Sequence, residues 1–287
     1  MEKAKEPNIP LYMCFIDLKA AYDTVNRMAL FCILRFYGVP DKLCRLIEKL
    51  YEGTEAAVKI EGELTEWFKI TTGLRQGCLL SPILFNVFFD FVLKEAIKDL
   101  DRGIEIEYRM PDGRKVRGTQ VKGNEKLLVL LYADDLVLMC ENGETLNEIM
   151  MRIEKCAQEW GLTINVKKTK RMTNITNVTQ DDVNIEIRGE IVEPVDEFIY
   201  LGSLIKDTGS IEKEIERRLR LGQYRFNELK KPIFDQADIN ISTKTNIYKA
   251  IVLPTILYGA ETWTCNDKDY ARLNAVNNKM LRYLVGR

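Results

Sequence analysis

Three acids stand where acids are costly. Asp17 closes the mostly apolar run 11–18, and Asp134 with Asp135 joins the apolar runs 127–131 and 136–139. Adjacent carboxylates repel, and they resist placement beside apolar strands unless a cation or hydrogen-bond donors compensate them. If the two strand ends meet at one edge of a sheet, they make an oxygen-rich site for Mg2+, a hard cation that keeps water and recruits phosphate oxygens. Taken alone, Asp-Asp reads first as a polar hairpin turn. Histidine is absent from all 287 residues. That excludes Ser-His-Asp and Cys-His nucleophilic sites and His-ligated zinc, so any catalysis rests on other groups.

The elements that must carry these acids are legible from periodicity and caps. The run 11–18 reads as a strand. Asn26 caps a helix whose Leu30, Ile33, Leu34 and Tyr37 recur at helical spacing, stopped by Gly38 and Pro40. Asp41 caps the next, with Leu43, Leu46, Ile47, Leu50 and Tyr51 on one face. Residues 58–60 and 67–70 read as a hairpin. Ser81-Pro82 starts a helix running to about Leu100, the serine accepting from a free amide and the proline giving up a donor that had no partner. Its body, 83–93, is apolar nearly all round, which predicts burial against a sheet. Ile104, Ile106 and Tyr108 alternate with charges before a turn at 111–113 and a return at 115–117, a solvent-facing hairpin. The runs 127–131 and 136–139 lack alternation, as central strands do. Leu146, Ile149, Met150, Ile153, Cys156, Ala157 and Trp160 share a helix face that ends at Gly161. Short strands are expected around 162–166, 185–187 and 198–201. From Ser210 the pattern is helical, with a break at Pro232 and two further helices over 243–284 kinked at Pro254. The domain boundary is expected near 206.

Composition sets the outer limits. A chain 46% hydrophobic and 30% charged is a folded one rather than disordered or collagen-like, and its length allows one large domain or two smaller ones. The net charge of -1 gives no bulk reason to expect a nucleic-acid partner. Seven cysteines, at 14, 32, 44, 78, 140, 156 and 265, include no C-x-x-C pair and read as free thiols of a reducing compartment. With no basic-then-apolar leader and no membrane-length apolar run, the expectation is an intracellular protein of nucleus or cytoplasm without a membrane partner.

Five blocks in order resemble the reverse transcriptases, most closely those of non-LTR (LINE-like) retrotransposons: Phe15-Ile-Asp-Leu-Lys-Ala-Ala-Tyr-Asp23, Gly73-Leu-Arg-Gln-Gly-Cys-Leu-Leu-Ser-Pro82 with Ile-Leu-Phe-Asn86, Tyr132-Ala-Asp-Asp135, Gly161-Leu-Thr-Ile-Asn-Val-Lys-Lys-Thr169 and Phe198-Ile-Tyr-Leu-Gly202. The resemblance covers about 11–205. It implies an α+β fold: a palm of antiparallel sheet backed by helices over 1–205 with a partial fingers insertion at about 26–72, then a helical thumb and the start of a connection region over 206–287. It implies an RNA-directed DNA polymerase that adds deoxynucleotides to a primer 3'-hydroxyl by two-metal phosphoryl transfer. Its partners would be an RNA template, a DNA primer and deoxynucleoside triphosphates. Two Mg2+ ions, with Mn2+ as a substitute, would be held by Asp17, Asp134, Asp135 and the main-chain carbonyl of Leu18.

The same resemblance implies the remaining site residues. Tyr22 falls where the family has an aromatic gate against a 2'-hydroxyl, with a core tyrosine as the plain alternative. The loop Gly73–Gly77 suits close approach by a nucleotide, with Arg75, Gln76 and Gly77 as substrate-binding residues and Gln76 offering donor and acceptor. Lys168 matches a lysine suited to protonate pyrophosphate, against a merely solvated basic patch 167–171. Tyr200, Leu201 and Gly202 match the primer grip. Basic residues along 213–231 would follow duplex phosphates, or be an ordinary solvated helix face. The family's upstream fingers segment is missing from the match, so a fragment of a longer polyprotein or a degraded copy is expected. The alternatives are a catalytically impaired nucleic-acid-binding remnant and an intron-encoded reverse transcriptase, for which no maturase segment is recognisable.

Overall fold

The computed structural model describes residues 10–100, 103–106, 125–175 and 184–286. It separates into two compact units, Met1–Val195 and Asp196–Arg287. The hairpin 197–206, expected to close the first unit, belongs to the second, where Leu204 N–H bonds to Glu214. Among the described residues no helix is long and apolar enough to cross a membrane.

The first unit is built on a five-stranded sheet. Its strands are β1 (Tyr12–Ile16), β2 (Val129–Tyr132), β3 (Asp135–Cys140), β4 (Lys170–Thr173) and β5 (Glu193–Pro194), in the order β5-β4-β1-β3-β2. All neighbours are antiparallel except β4 and β5. β1 lies at the centre, bonded on both sides, so its side chains are almost wholly buried and burial pushes the Cys14 thiol up to about 12 against the lowering charge of Arg171. The run 127–131 was expected to be central as well. Instead β2 is an edge strand with alternating burial, because nothing among the described residues pairs beyond it and only one of its faces meets the core.

β4 carries no apolar signature, yet it pairs with β1 along its length. Lys170 ion-pairs with Glu193, and Arg171 donates from Nε to Val192 O at 3.1 Å, so the charges of this strand are absorbed by the segment beside it. The expected basic patch therefore shrinks to Lys167 and Lys168, the two exposed lysines of the run.

Helices α1 (Arg27–Phe36), α2 (Asp41–Tyr51), α3 (Ser81–Ala96) and α4 (Gly143–Glu159) complete the unit. Asn26 and Asn142 cap α1 and α4, accepting from Ala29 N at 3.1 Å and Thr145 N at 2.7 Å. α3 is the apolar helix expected from sequence: Phe85, Phe88, Phe89 and Val92 are fully buried in the core shared with β1, β3 and α4. Its start differs in detail. Ser81 lies inside the first turn and donates its hydroxyl to Arg75 O at 2.6 Å, rather than accepting as a cap, because the Gly73–Gly77 loop returns beneath it. Asp41 likewise does not cap α2; Pro40 holds that position, and Asp41 pairs with Arg35 and Arg45. Residues 26–72, the expected fingers insertion, form α1, α2 and two nested two-residue ladders, 55–56 with 68–69 and 59–60 with 63–64. Of the hairpin expected between 104 and 117, Ile104–Ile106 pairs with Glu125–Leu127, and the turn at 111–117 lies outside the described residues.

The second unit opens with β6 (Glu197–Tyr200) and β7 (Ser203–Lys206), followed by α5 (Glu212–Leu229), α6 (Ile241–Ile247), α7 (Leu253–Ile256) and α8 (Asp267–Leu284). Phe226, Phe234, Tyr248, Val252, Ile256, Met280 and Leu284 form its core. α8 begins with a capping box between Asn266 and Asp269.

Candidate active site

Sheet order brings two acid-bearing segments together. Asp17 follows directly after β1, Asp134 lies in the turn between β2 and β3, and Asp135 opens β3, the strand paired with β1 from Leu136 opposite Ile16. Tyr132 pairs with Asp135, so the turn has two central residues, and Ala133 takes a left-handed φ of 55°. For a non-glycine residue that conformation costs about 1–2 kcal/mol, and it persists only where the surroundings enforce it.

The electrostatics follow from that meeting. The Asp135 carboxyl is held above its ordinary value, first by partial burial and then by the charges of Asp134 and Asp17. The Tyr22 hydroxyl is also held up, by burial and then by Asp134. Neither Asp17, Asp134 nor Asp135 has a Lys or Arg partner among the described residues. No group of three or more Asp, Glu, Cys or His side chains there stands ready to hold a metal ion by itself. What remains is a concentration of uncompensated negative charge that a hard cation with its own water would relieve, so the donor set fits one.

Residues 163–169 run alongside the end of β1. Asn165 N–H donates to Asp17 O at 2.8 Å and Lys19 N–H to Thr163 O at 2.8 Å, closing a bridge between Leu18 and Ile164. In antiparallel pairing the residue between two such bonds turns its own N–H and C=O the other way. The Leu18 carbonyl therefore faces away from the bridge, toward the edge occupied in the sheet by β3. Asp17 N–H is itself held by Thr169 Oγ1 at 3.3 Å. Lys168 is exposed on the turn closing this segment, its N–H donating to Asn165 O at 3.1 Å.

The segment 20–25 and the loop 73–77 form a second connected piece. Ala20 takes a left-handed φ of 46° and starts a single helical turn, Ala21–Thr24. Leu74 N–H donates to Tyr22 O at 2.7 Å, and Gly73 N–H to Val25 O at 2.9 Å. Arg27, which is buried, donates to the carbonyls of Gly73 and Ile70, each at 2.8 Å, and thereby ties the loop to the hairpin region. The Tyr22 ring, partly buried, stacks on Phe85 with centroids 4.7 Å apart, and its hydroxyl feels Asp134. Gln76 Nε2 donates to Asp23 Oδ1 at 3.1 Å, which leaves its carbonyl oxygen as the group still on offer. Arg75 reaches Thr54 Oγ1 at 3.3 Å and lies over the Tyr51 ring. Arg27, which holds the Gly73 carbonyl, and Asp23, which holds Gln76, carry no sequence signal of those contacts; only the fold reveals them.

Two glycines in this loop have different reasons to be glycine. Gly73 has φ +78°, and an added Cβ would stand 2.6 Å from Asp23 O, whereas Gly77 has φ +81° and open space around it. Gly73→Ala is expected to lower stability by about 2–4 kcal/mol from strain and overlap together, and Gly77→Ala by about 1 kcal/mol from strain alone. Urea unfolding midpoints of the two variants check the difference.

In the second unit, Tyr200 pairs with Ser203, and Leu201 and Gly202 form the turn with φ of 47° and 79°. Positive φ at both central residues is the hairpin geometry that suits the twist of its strands. The bases expected to follow phosphates along α5 are largely neutralised: Lys213 pairs with Glu197, Arg217 and Arg218 with Glu214, Arg220 with Glu216 and Arg225 with Glu228. Of these acids only Glu197 lies outside 213–231, so pairing localises the charge of that stretch while its excess of bases falls by one.

Comparison with known proteins gives a consistent result. Residues 2–205 match the family described as reverse transcriptase (RNA-dependent DNA polymerase). An RNA-directed DNA polymerase from the mobile element jockey of Drosophila funebris is 23% identical over 281 residues, 95% of this chain and 28% of that protein. A Pol polyprotein from a type-1 retrotransposable element R2 of Nasonia vitripennis is 28% identical over 214 residues, 71% of this chain and 19% of that protein. The chain thus spans less than a third of the length of either relative. Among solved structures, apo telomerase from Candida tropicalis superposes with a TM-score of 0.53 at 16% identity, covering 99% of this chain and 48% of that one, a likeness of fold.

Proposed function

The chain belongs to the reverse transcriptases, and on that premise we propose that it is the palm and thumb of an RNA-directed DNA polymerase that extends a DNA primer on an RNA template. The observation that carries this reading is the meeting of Asp17 with Asp134 and Asp135 at one end of paired strands, beside Tyr22 and, among the described residues, without a compensating Lys or Arg. Asp17, Asp134, Asp135 and the Leu18 carbonyl would hold two Mg2+ ions, whose chemistry there is to make the primer 3'-hydroxyl a better nucleophile and to neutralise charge on the departing pyrophosphate.

The chain's own residues do the rest. Tyr22, backed by Phe85, presents a ring edge where the sugar of a deoxynucleoside triphosphate passes. Gln76, steadied by Asp23, offers its carbonyl oxygen to the same nucleotide, and the Gly73–Gly77 backbone admits it closely. Arg75 stays at the mouth of that loop against Tyr51, and Lys168, exposed next to the bridge that fixes Asp17, is the group to hand a proton to pyrophosphate. Tyr200, Leu201 and Gly202 hold the primer end.

Template-dependent incorporation of deoxynucleotides on an annealed RNA template with Mg2+ tests this; duplex binding without incorporation would instead favour a nucleic-acid-binding remnant. A second test needs no turnover. Asp135 has a folded-state pKa above its ordinary value, so its contribution to the ion-free fold is present at low pH and lost as pH rises through the raised value. At neutral pH, Asp135→Asn is therefore expected to raise the ion-free thermal midpoint, while Mg2+ raises the midpoint of the wild type more than that of the variant. Equal responses to Mg2+ would count against ion binding at this end of the strands.

A further inference from the structure

The turn Leu201-Gly202 is over-determined from below. Leucine at φ 47° is uncomfortable, and both turn carbonyls are engaged by side chains. Tyr258 donates its hydroxyl to Leu201 O at 2.9 Å, and Gly202 O receives Arg217 Nη1 at 3.1 Å together with Arg218 Nη2. One step on, Leu204 N–H donates to Glu214 Oε2 at 2.9 Å. Glu214 is the hub: Arg218 Nε donates to its Oε1 at 2.5 Å and Arg217 Nη1 to its Oε2 at 3.1 Å. Glu214 is 2% and Arg218 6% exposed, and the Arg218 guanidinium lies 4.4 Å from the centre of the Tyr258 ring. The next residue is as tight, since a Cβ on Gly259 would stand 2.8 Å from Ser203 Oγ.

A buried ion pair is poor value as mere stabilisation, because a well-packed apolar pair of similar volume does as well or better. What it supplies that an apolar pair cannot is direction: a planar fork fixes the carbonyl it holds. We propose that Glu214, Arg218 and Tyr258 are positioning residues that set the angle of the Leu201-Gly202 turn and, through it, the primer 3'-end for attack. This rests on reading that turn as the primer grip. None of the three touches the reacting atoms. They act through the two carbonyls they hold, and misplacement of a reacting end by about 1 Å can lower a rate about 100-fold.

The test is single-turnover primer extension by the full chain, with active sites titrated so that rate per active molecule is separated from the folded fraction, alongside thermal midpoints and the KM for deoxynucleoside triphosphate. Glu214→Gln is expected to lower the rate per active site about 10–100-fold with that KM unchanged. Tyr258→Phe keeps the ring beneath Arg218 and removes only the hydroxyl, so it should fold normally and lose about 3–10-fold. Arg218→Lys keeps the charge without the fork and should not restore the rate. A purely structural network would lower the midpoint and the active fraction while leaving the rate per active site at the wild-type value; that result, above all in Tyr258→Phe, overturns the proposal. If the wild-type chain binds an RNA–DNA primer–template but adds no nucleotide, the polymerase reading itself falls, and this inference with it.

Discussion

Asp134→Ala is expected to abolish templated nucleotide addition, a loss of at least about 10³-fold, while the protein folds as well as before. Both halves follow from where the residue sits. Asp134 is an exposed central residue of the turn between β2 and β3, so alanine there opens no cavity and removes no packed atom. Its charge, however, reaches Asp135 and Tyr22, both of whose protons are held more tightly because of it. The variant should therefore show a thermal midpoint no lower than wild type and a Tyr22 hydroxyl that titrates at lower pH, together with lost primer extension. Glu63, an exposed acid in the hairpin ladder 59–60 with 63–64, is a matched control whose replacement by alanine should leave extension intact. Extension that survives Asp134→Ala would remove the two-metal assignment, however well the family match stands.

Tyr22→Ala is the second large effect, and it is one of selectivity. Deoxynucleotides and ribonucleotides differ at the sugar by one hydroxyl, and only a wall that does not yield can reject the larger one. On the proposed reading the Tyr22 ring is that wall, and Phe85, itself wholly buried, backs it at 4.7 Å. Alanine should narrow the preference for deoxynucleotides about 10–100-fold in kcat/KM ratio. Loss of the stacked pair should also cost about 1–3 kcal/mol of stability. Tyr22→Phe keeps the ring and should keep the selectivity, which separates the steric role from any role of the hydroxyl. An unaltered ratio in the alanine variant would leave Tyr22 as a core residue only.

The acid-bearing turn and strand were legible from sequence because they combine two strong local signals, uninterrupted apolar runs and charges where such runs end. Asn26 as a cap was legible for the same reason: the bond it makes is three residues away. What failed were positions whose partner is remote. Ser81 has the sequence of a cap but donates to Arg75, which only the folded loop brings near. Lys170–Thr173 looks like a solvated basic patch, yet it is the strand beside β1, because Glu193 and the Val192 carbonyl receive its charges. The run 127–131 has the apolar density of a central strand, but centrality is a property of neighbours, and β2 has one neighbour in the sheet. The same holds for charge: the bases of α5 can be counted from sequence, but the acids that neutralise them are fixed by helix spacing and by β6. Asp23 and Arg27 give no sign in sequence of holding Gln76 and Gly73.

The sheet order makes the three carboxylates unequal in one further respect. Asp17 hangs from a strand bonded on both sides, whereas Asp134 and Asp135 hang from a turn whose outer strand is bonded on one. Amide hydrogens of the central strand should exchange only in the rare excursions that open the whole unit, while those of Val129–Tyr132 exchange through local fraying. Heat or mild denaturant should thus release the acid pair before it releases Asp17, and the cation site proposed across the three would come apart well before the fold does.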